Sequence, residues 1–147
     1  MKMANIGGLL KRIYRSYNAQ LLSKVQDKGF TDLRSSYLEV LLNICEKNGP
    51  SIKHIGQALG LKKQTMTSHL NELEKRGYII RSLNPKDKRE VRIYLTDFGE
   101  RFKLALLEAV AEIEESYRIA IGDVELDRVE HILANLHQKM PLEGMFL

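Results

Sequence analysis

The 147-residue chain has few of the features that cross-link small proteins or carry them through membranes. It contains a single cysteine, so no disulfide can form within the chain, which is typical of a reducing compartment. No apolar run approaches the ~20 residues that a membrane span needs, and residues 1–5 lack the continuous apolar core of a signal peptide. We therefore expect a soluble, cytoplasmic protein.

Signatures of catalysis and of metal binding are also missing. There is no glycine-rich phosphate loop, no nucleophile with a recognisable base and no evident carboxylate pair. His131 and His137 are six residues apart, and neither they nor His54 and His69 have cysteine or paired carboxylate neighbours at a ligand spacing. We expect no enzyme activity and no cofactor, and we interpret the histidines as ordinary surface or core residues.

Positive charge is concentrated in the first two thirds of the chain. Residues 1–61 carry nine Lys or Arg against four Asp or Glu, and residues 62–103 carry eleven against six. Residues 104–147 carry three against nine, although the net charge of the whole chain is only +4. A cationic zone on a nearly neutral protein favours a local site for a polyanion, although an ordinary solvated surface would have the same composition.

Two helical patterns in the middle of the chain are separated by a tight turn. The first begins at Ser51, a suitable N-cap, and ends at Gly60, while the second runs from Lys62 to Arg76. In the second pattern Met66, Leu70 and Leu73 recur at helical spacing and should face a core. By the same period, the opposite face carries Gln64, Thr67, Ser68 and Asn71.

A basic hairpin pattern follows directly. Strand-like runs at 78–83 and 90–95 flank the loop 84–89, which has the sequence Asn-Pro-Lys-Asp-Lys-Arg. Helix, turn, helix and hairpin is the order in which a winged helix-turn-helix presents one helix to a DNA groove and a cationic loop to the adjacent backbone. We therefore predict a mainly α fold with a small β-hairpin wing.

Amphipathic helices are predicted on both sides of this motif, at about 4–27, 97–121 and 124–139. Thr96 can cap the second of them, and a further helix near residue 36 carries a Ser36–Glu39 capping box. A dimer can bind two DNA half-sites that lie ~34–36 Å apart. We expect residues 1–30 and 97–147 to be dimerisation helices around a DNA-binding lobe at 31–96, although the same helices could pack on their own lobe in a monomer.

These segments together resemble the MarR family of bacterial and archaeal transcriptional regulators. The matching stretches are 55–61, 65–67, 70–79, the loop 84–89 and the Val-Arg-Ile-Tyr-Leu-Thr exit at 91–96. The resemblance implies a homodimer whose recognition helices enter successive major grooves while the wing tips contact minor grooves. It also implies, in many members, a small-molecule cavity between the dimer helices and the DNA-binding lobe.

The resemblance assigns the recognition helix to Lys62–Arg76 and the wing-tip arginine to Arg89, with Asp87 bracing the loop. The chain departs from the family where Lys62 and Lys63 replace a common capping serine, and where Ser68 and Glu72 replace common basic residues. The outward side chains suit adenine edges, thymine methyl groups and water-mediated contacts better than bidentate guanine recognition. The expected DNA-binding residues are Lys62, Lys63, Gln64, Thr65, Thr67, Ser68, Asn71, Lys86, Asp87, Lys88 and Arg89.

Two further groups of residues have alternative interpretations. Cys45 could act as a redox sensor, but it lies on the apolar side of a predicted core helix, where a structural role is favoured. Tyr14, Tyr17 and Tyr37 could line an effector cavity, an interpretation that only the family resemblance favours over plain core packing.

We therefore expect a homodimeric DNA-binding regulator, a repressor of a pseudopalindromic site, that a small-molecule effector releases. The alternatives are a winged-helix protein-interaction module without its own operator and a thiol-based redox regulator that uses Cys45. Four cations on the reading surface, Lys62, Lys63, Lys88 and Arg89, favour nucleic acid over a protein partner.

Overall fold

The computed structural model describes residues 1–140, so residues 141–147 of the expected dimerisation segment lie outside the described part. The fold is six helices and one antiparallel hairpin, in agreement with the predicted fold class. None of the described helices is long and apolar enough to cross a membrane. The elements are α1 (Lys2–Asp27), α2 (Ser35–Glu46), α3 (Ile52–Leu59), α4 (Lys63–Lys75), β1 (Ile79–Asn84), β2 (Asp87–Leu95), α5 (Asp97–Ile121) and α6 (Asp123–Lys139).

The core is built around α2, which contacts α1, α3, α4 and β2. Met66, Leu70 and Leu73 of α4 are all buried, which confirms the predicted inner face of that helix. A cluster of aromatic rings joins the start of β1 to the start of α5: the ring centroids of Tyr78 and Phe98 are 4.8 Å apart, and Phe102 packs edge-on to Tyr78. The orientation of α4 relative to the hairpin is therefore set by buried contacts.

The predicted helix caps are correct at two positions and wrong at a third. Ser51 Oγ accepts a hydrogen bond from His54 N at 3.1 Å, and Thr96 Oγ1 accepts one from Gly99 N at 3.0 Å. The capping box of Ser36 and Glu39 does not form, because α2 begins at Ser35 and has no side-chain cap. Glu39 Oε1 instead accepts hydrogen bonds from α1, from Tyr14 and Asn18.

The hairpin has a shorter turn than the sequence predicted. The strands reach Asn84 and Asp87, so only Pro85 and Lys86 form the turn, and the backbone N–H of Lys86 donates to Asn84 Oδ1 at 3.0 Å. Leu83 pairs with Val91 whereas Asn84 pairs with Asp87, so residues 88–90 bulge out of the ladder. A bulge bends a strand and redirects its side chains, and this one carries Arg89.

The base of the hairpin is fixed to the turn between α2 and α3. Ile93 N donates to Pro50 O at 2.9 Å, and Arg92 Nη1 donates to Gly49 O at the same distance. A β-bridge also pairs Ser51 with Arg92. The wing therefore leaves the lobe from a base held by two segments of chain.

Helix α6 has no buried residue, and apolar side chains on it and on α1 and α5 are exposed. Helices α1 and α5 do pack on each other, and Lys28 Nζ lies 2.7 Å from Glu112 Oε1 across that contact. The hydrogen bond to Lys28 is the largest cause that lowers the pKa of the Glu112 carboxyl. The exposed apolar residues include Leu10 and Ile13 on α1, Leu104, Leu107 and Ile119 on α5, and Val124, Val129, Ile132, Leu133 and Leu136 on α6.

Gly99 provides a test of the packing between α5 and the wing. An added Cβ would collide with the carbonyl oxygen of Tyr78, which cannot retreat freely because it accepts a hydrogen bond from Thr96 N at 3.1 Å. We expect Gly99→Ala to lower the free energy of unfolding by ~1–3 kcal/mol, as measured by denaturant titration. At Gly56 the same substitution would place Cβ 3.5 Å from Met66 Cγ, an ordinary contact, and should stabilise the helix by ~0.5–1 kcal/mol. Equal stability of the two variants would contradict this packing.

Candidate nucleic-acid interface

Helix α4 presents a polar face to solvent. The side chains of Lys63, Gln64, Thr67, Ser68 and Asn71 are exposed, opposite the buried apolar face of the helix, as the helical period predicted. Thr65 is half-buried and contributes less to this face than the other predicted residues. The structure therefore brings together a continuous row of hydrogen-bonding side chains on one helix.

The start of α4 has no side-chain cap. Lys62 occupies the N-cap position in extended backbone, and lysine offers no acceptor for the free N–H groups of the first turn. Both Lys62 and Lys63 are exposed there. A helix N-terminus with uncapped N–H groups and adjacent ammonium groups favours an anion such as a phosphate.

At the wing tip, Asp87 organises the backbone around Arg89. Asp87 Oδ1 accepts a hydrogen bond from Arg89 N at 3.0 Å and lies 3.5 Å from Arg89 Nε. The Arg89 side chain is nevertheless 95% exposed. Lys86 is also exposed, on the turn itself. The tip therefore holds a braced backbone and a guanidinium that is free to reach a partner.

An open cleft of about 970 Å³ lies between the helix-turn-helix and the wing. Its cationic lining comes from Lys53, Lys62, Lys63 and Arg89, and its acidic lining from Asp87 and Glu90. The cleft therefore connects the start of α4 with the wing tip along a mainly positive surface, which suits a polyanion backbone. Lys53 was not among the predicted site residues, although its place one turn before Gly56 on the exposed side of α3 could have indicated it.

Arg81 is a second residue that the sequence prediction missed. It lies on β1, and its guanidinium donates a hydrogen bond to Asn71 Oδ1 of α4. Its backbone N–H also donates to Glu74 Oε2 at 3.3 Å. The alternation of β1, in which Ile79 is buried and Arg81 shares its face, was the available signal that Arg81 points towards the helices.

The three tyrosines predicted for an effector cavity do not converge. Tyr14 and Tyr17 lie on α1 towards α2, where burial is the main cause that raises the pKa of each phenol, with further contributions from Glu39 and Glu46 respectively. Tyr37 is buried on another side of α2, edge-on to His69 at 5.4 Å, and accepts a hydrogen bond from Arg34. Neither this cleft nor the cavity described next is lined by any of the three.

Cys45 lines a small cavity of about 270 Å³ between the end of α2, β2 and the start of α5. Burial raises the pKa of the Cys45 thiol to about 11. Since the thiolate is the reactive form, little of it is present near neutral pH. The environment of Cys45 is that of a structural residue with low reactivity.

This geometry defines a winged helix-turn-helix, with α3 and α4 as the two helices and β1–β2 as the wing. The family model described as "MarR family" matches residues 29–90. An uncharacterized HTH-type transcriptional regulator of Bacillus subtilis, YkoM, is 29% identical over 99 residues, which is 67% of this chain. The chain spans only 62% of the length of that relative.

Solved structures share the fold over nearly the whole chain. A MarR transcriptional regulator from Methanosarcina mazei has a TM-score of 0.79 at 20% identity, and the match covers 92% of this chain and 96% of that one. The transcriptional repressor CouR, solved bound to a 23-mer DNA duplex, has a TM-score of 0.72 at 26% identity, covering 88% and 90%. The chain belongs to the MarR family.

Proposed function

We propose that this protein is a DNA-binding transcriptional regulator. The observation that carries the proposal is the exposed polar face of α4, beside a cleft whose cations extend to the wing tip. The width of a helix suits the major groove, and a narrow minor groove attracts an arginine such as Arg89. In this arrangement Gln64, Thr67, Ser68 and Asn71 contact bases, while Lys62, Lys63, Lys86 and Lys88 contact phosphates.

The regulator acts as a homodimer on a pseudopalindromic site. The exposed apolar residues of α1, α5 and α6 support this, because they form faces too apolar for a solvated surface and lie outside the DNA-binding lobe. A second copy of the chain would cover them with the same residues about a two-fold axis. Residues 1–30 and 97–147 then form the dimerisation part, and residues 31–96 form the DNA-binding lobe.

The function is repression, released by a small-molecule effector through a population shift. An effector that binds better to a dimer with altered lobe spacing would draw the population away from the form that matches two grooves. Tyr14 and Tyr17 at the seam between α1 and α2 are placed to sense it, because they connect a dimerisation helix to the core helix of the lobe. Screening small aromatic compounds for release of the bound duplex tests this step, and Tyr17→Leu should abolish release without weakening DNA binding.

The direct test of DNA binding is selection of fragments from the native genome by the purified protein. We expect enrichment of one inverted repeat, and a footprint of two half-sites about one helical turn apart. A folded protein that enriches no fragment above a scrambled control would contradict the proposal.

Arg89→Ala should weaken binding to the selected duplex by ~1–3 kcal/mol. The Arg89 side chain is almost fully exposed and contributes little to packing, so the melting temperature should stay the same. Fluorescence anisotropy measures the first quantity and a thermal melt the second. Glu108→Ala, an exposed change on α5 outside the lobe, is the control and should leave binding unchanged. Undiminished binding by folded Arg89→Ala would remove the wing tip from the site.

A further inference from the structure

Arg81 connects the wing to the recognition helix through two side chains of α4. Its Nη2 donates to Asn71 Oδ1, and its Nε lies 3.8 Å from Glu74 Oε1, an ion pair beyond hydrogen-bonding distance. The Arg81 side chain is only 27% exposed, so this contact is partly shielded from solvent. Arg81 therefore lies behind the DNA-facing surface, in contact with a residue that forms it.

The chemistry of the two groups determines how the Asn71 amide is oriented. A guanidinium has five N–H donors and no acceptor, whereas an asparagine amide has a carbonyl at one end and an NH₂ group at the other. Only the carbonyl end can bond to Arg81, so a reversed Asn71 would place two sets of donors against each other. The NH₂ group of Asn71 is consequently directed away from Arg81.

This orientation limits which bases Asn71 can recognise. A free asparagine binds adenine with both ends, accepting from N6 and donating to N7. An Asn71 whose carbonyl is held by Arg81 faces the groove chiefly as a donor. In the major groove, guanine offers two acceptors on one edge, N7 and O6, while adenine places its N6 donor next to N7.

We propose that Arg81 is a positioning residue for specificity, which holds Asn71 as a hydrogen-bond donor so that this helix favours guanine over adenine at the base that Asn71 faces. The inference rests on the proposed DNA-binding function and differs from the sequence-based expectation that Asn71 suits an adenine edge. Arg81 itself does not need to touch DNA.

The experiment is selection from a random-sequence duplex library by the intact protein and its variants. The Asn71→Asp variant first identifies the relevant base pair, since a carboxylate only accepts and should shift that one position towards cytosine. At the same position the wild type should enrich guanine. Arg81→Met, which keeps a long side chain but has no donor, should raise the ratio of adenine to guanine by roughly five-fold or more, because the carbonyl of Asn71 is released.

Two controls separate positioning from a merely structural role. Glu74→Gln weakens the other contact of Arg81 and should leave the base preference as in the wild type. In the wild type, replacing the selected guanine by 7-deazaguanine removes the N7 acceptor and should weaken binding by roughly five-fold or more, and this test does not depend on whether Arg81→Met folds. A thermal melt of each variant checks folding.

The outcomes are distinguishable. An adenine gain in Arg81→Met, but not in Glu74→Gln, supports the inference. Uniform weakening on all sequences with an unchanged base profile would overturn it, as would equal binding to guanine and 7-deazaguanine duplexes, while DNA binding itself stood. A wild-type protein that enriches no sequence at all would overturn both this inference and the proposed function.

Discussion

Raising the salt concentration from about 50 to about 200 mM should weaken binding to the selected duplex by ~10³-fold or more. Each protomer presents exposed Lys62, Lys63 and Arg89 along one cleft, so a dimer places six of these cations near phosphates. Each phosphate that they neutralise releases condensed counterions, and the entropy of that release falls as salt rises. Titrations at several salt concentrations, with specific and scrambled duplexes, measure the slope.

Substitution of one lysine should change that slope by a countable amount. Lys63→Ala should weaken binding to all sequences alike and flatten the slope by roughly two, one phosphate for each protomer. Arg128→Ala, which removes the same charge from α6, should leave the slope unchanged. Thr67→Ala should instead alter the preference among operator variants, because threonine contributes to base contacts and not to the ionic term. A slope that ignores Lys63 would show that the start of α4 does not meet a phosphate.

Leu133→Asp should convert the dimer into a monomer at micromolar concentration. Leu133 is 40% exposed in the single chain and shares the apolar face of α6 with Val129 and Leu136. A carboxylate buried there against a second copy would be desolvated without a partner, which costs several kcal/mol. The monomer would lose one half-site and therefore most of its affinity for the inverted repeat.

His131→Asp is the matched control for that substitution. It places the same carboxylate on the same helix, on the side away from the apolar face, and should leave the dimer intact. Light scattering measures the mass of each variant, and circular dichroism checks that both remain helical. A wild-type protein that scatters as a monomer at micromolar concentration would contradict the dimer, whatever the variants do.

The parts of the fold that sequence predicted well depend on local rules. The inner face of α4 follows from the helical period, and the caps at Ser51 and Thr96 follow from the need to satisfy free N–H groups within three residues. The capping box at Ser36 obeyed the same rule but failed, because Glu39 found tertiary partners on α1. Local preference is a weak prior wherever packing offers a competing contact.

The parts that were missed depend on which strand residues face which helix. The turn of the wing was predicted too long because the side chain of Asn84 folds back on Lys86 and shortens it. Arg81 was missed because its partner Asn71 becomes a neighbour only once the hairpin packs on α4. A charge count identified the cationic region, but only the structure separates a guanidinium behind the surface from one that projects out of it.

The fixed base of the hairpin has a consequence for how such a protein can diversify. The main-chain bond between Ile93 and Pro50, together with the bridge from Ser51 to Arg92, holds the wing without involving residues 85–89. The tip can therefore exchange its side chains, or accept a loop from another protein, without unsettling the strands below it. The molecule separates the segment that selects an address from the segment that keeps it folded, so a new target can be acquired by rewriting a few exposed residues.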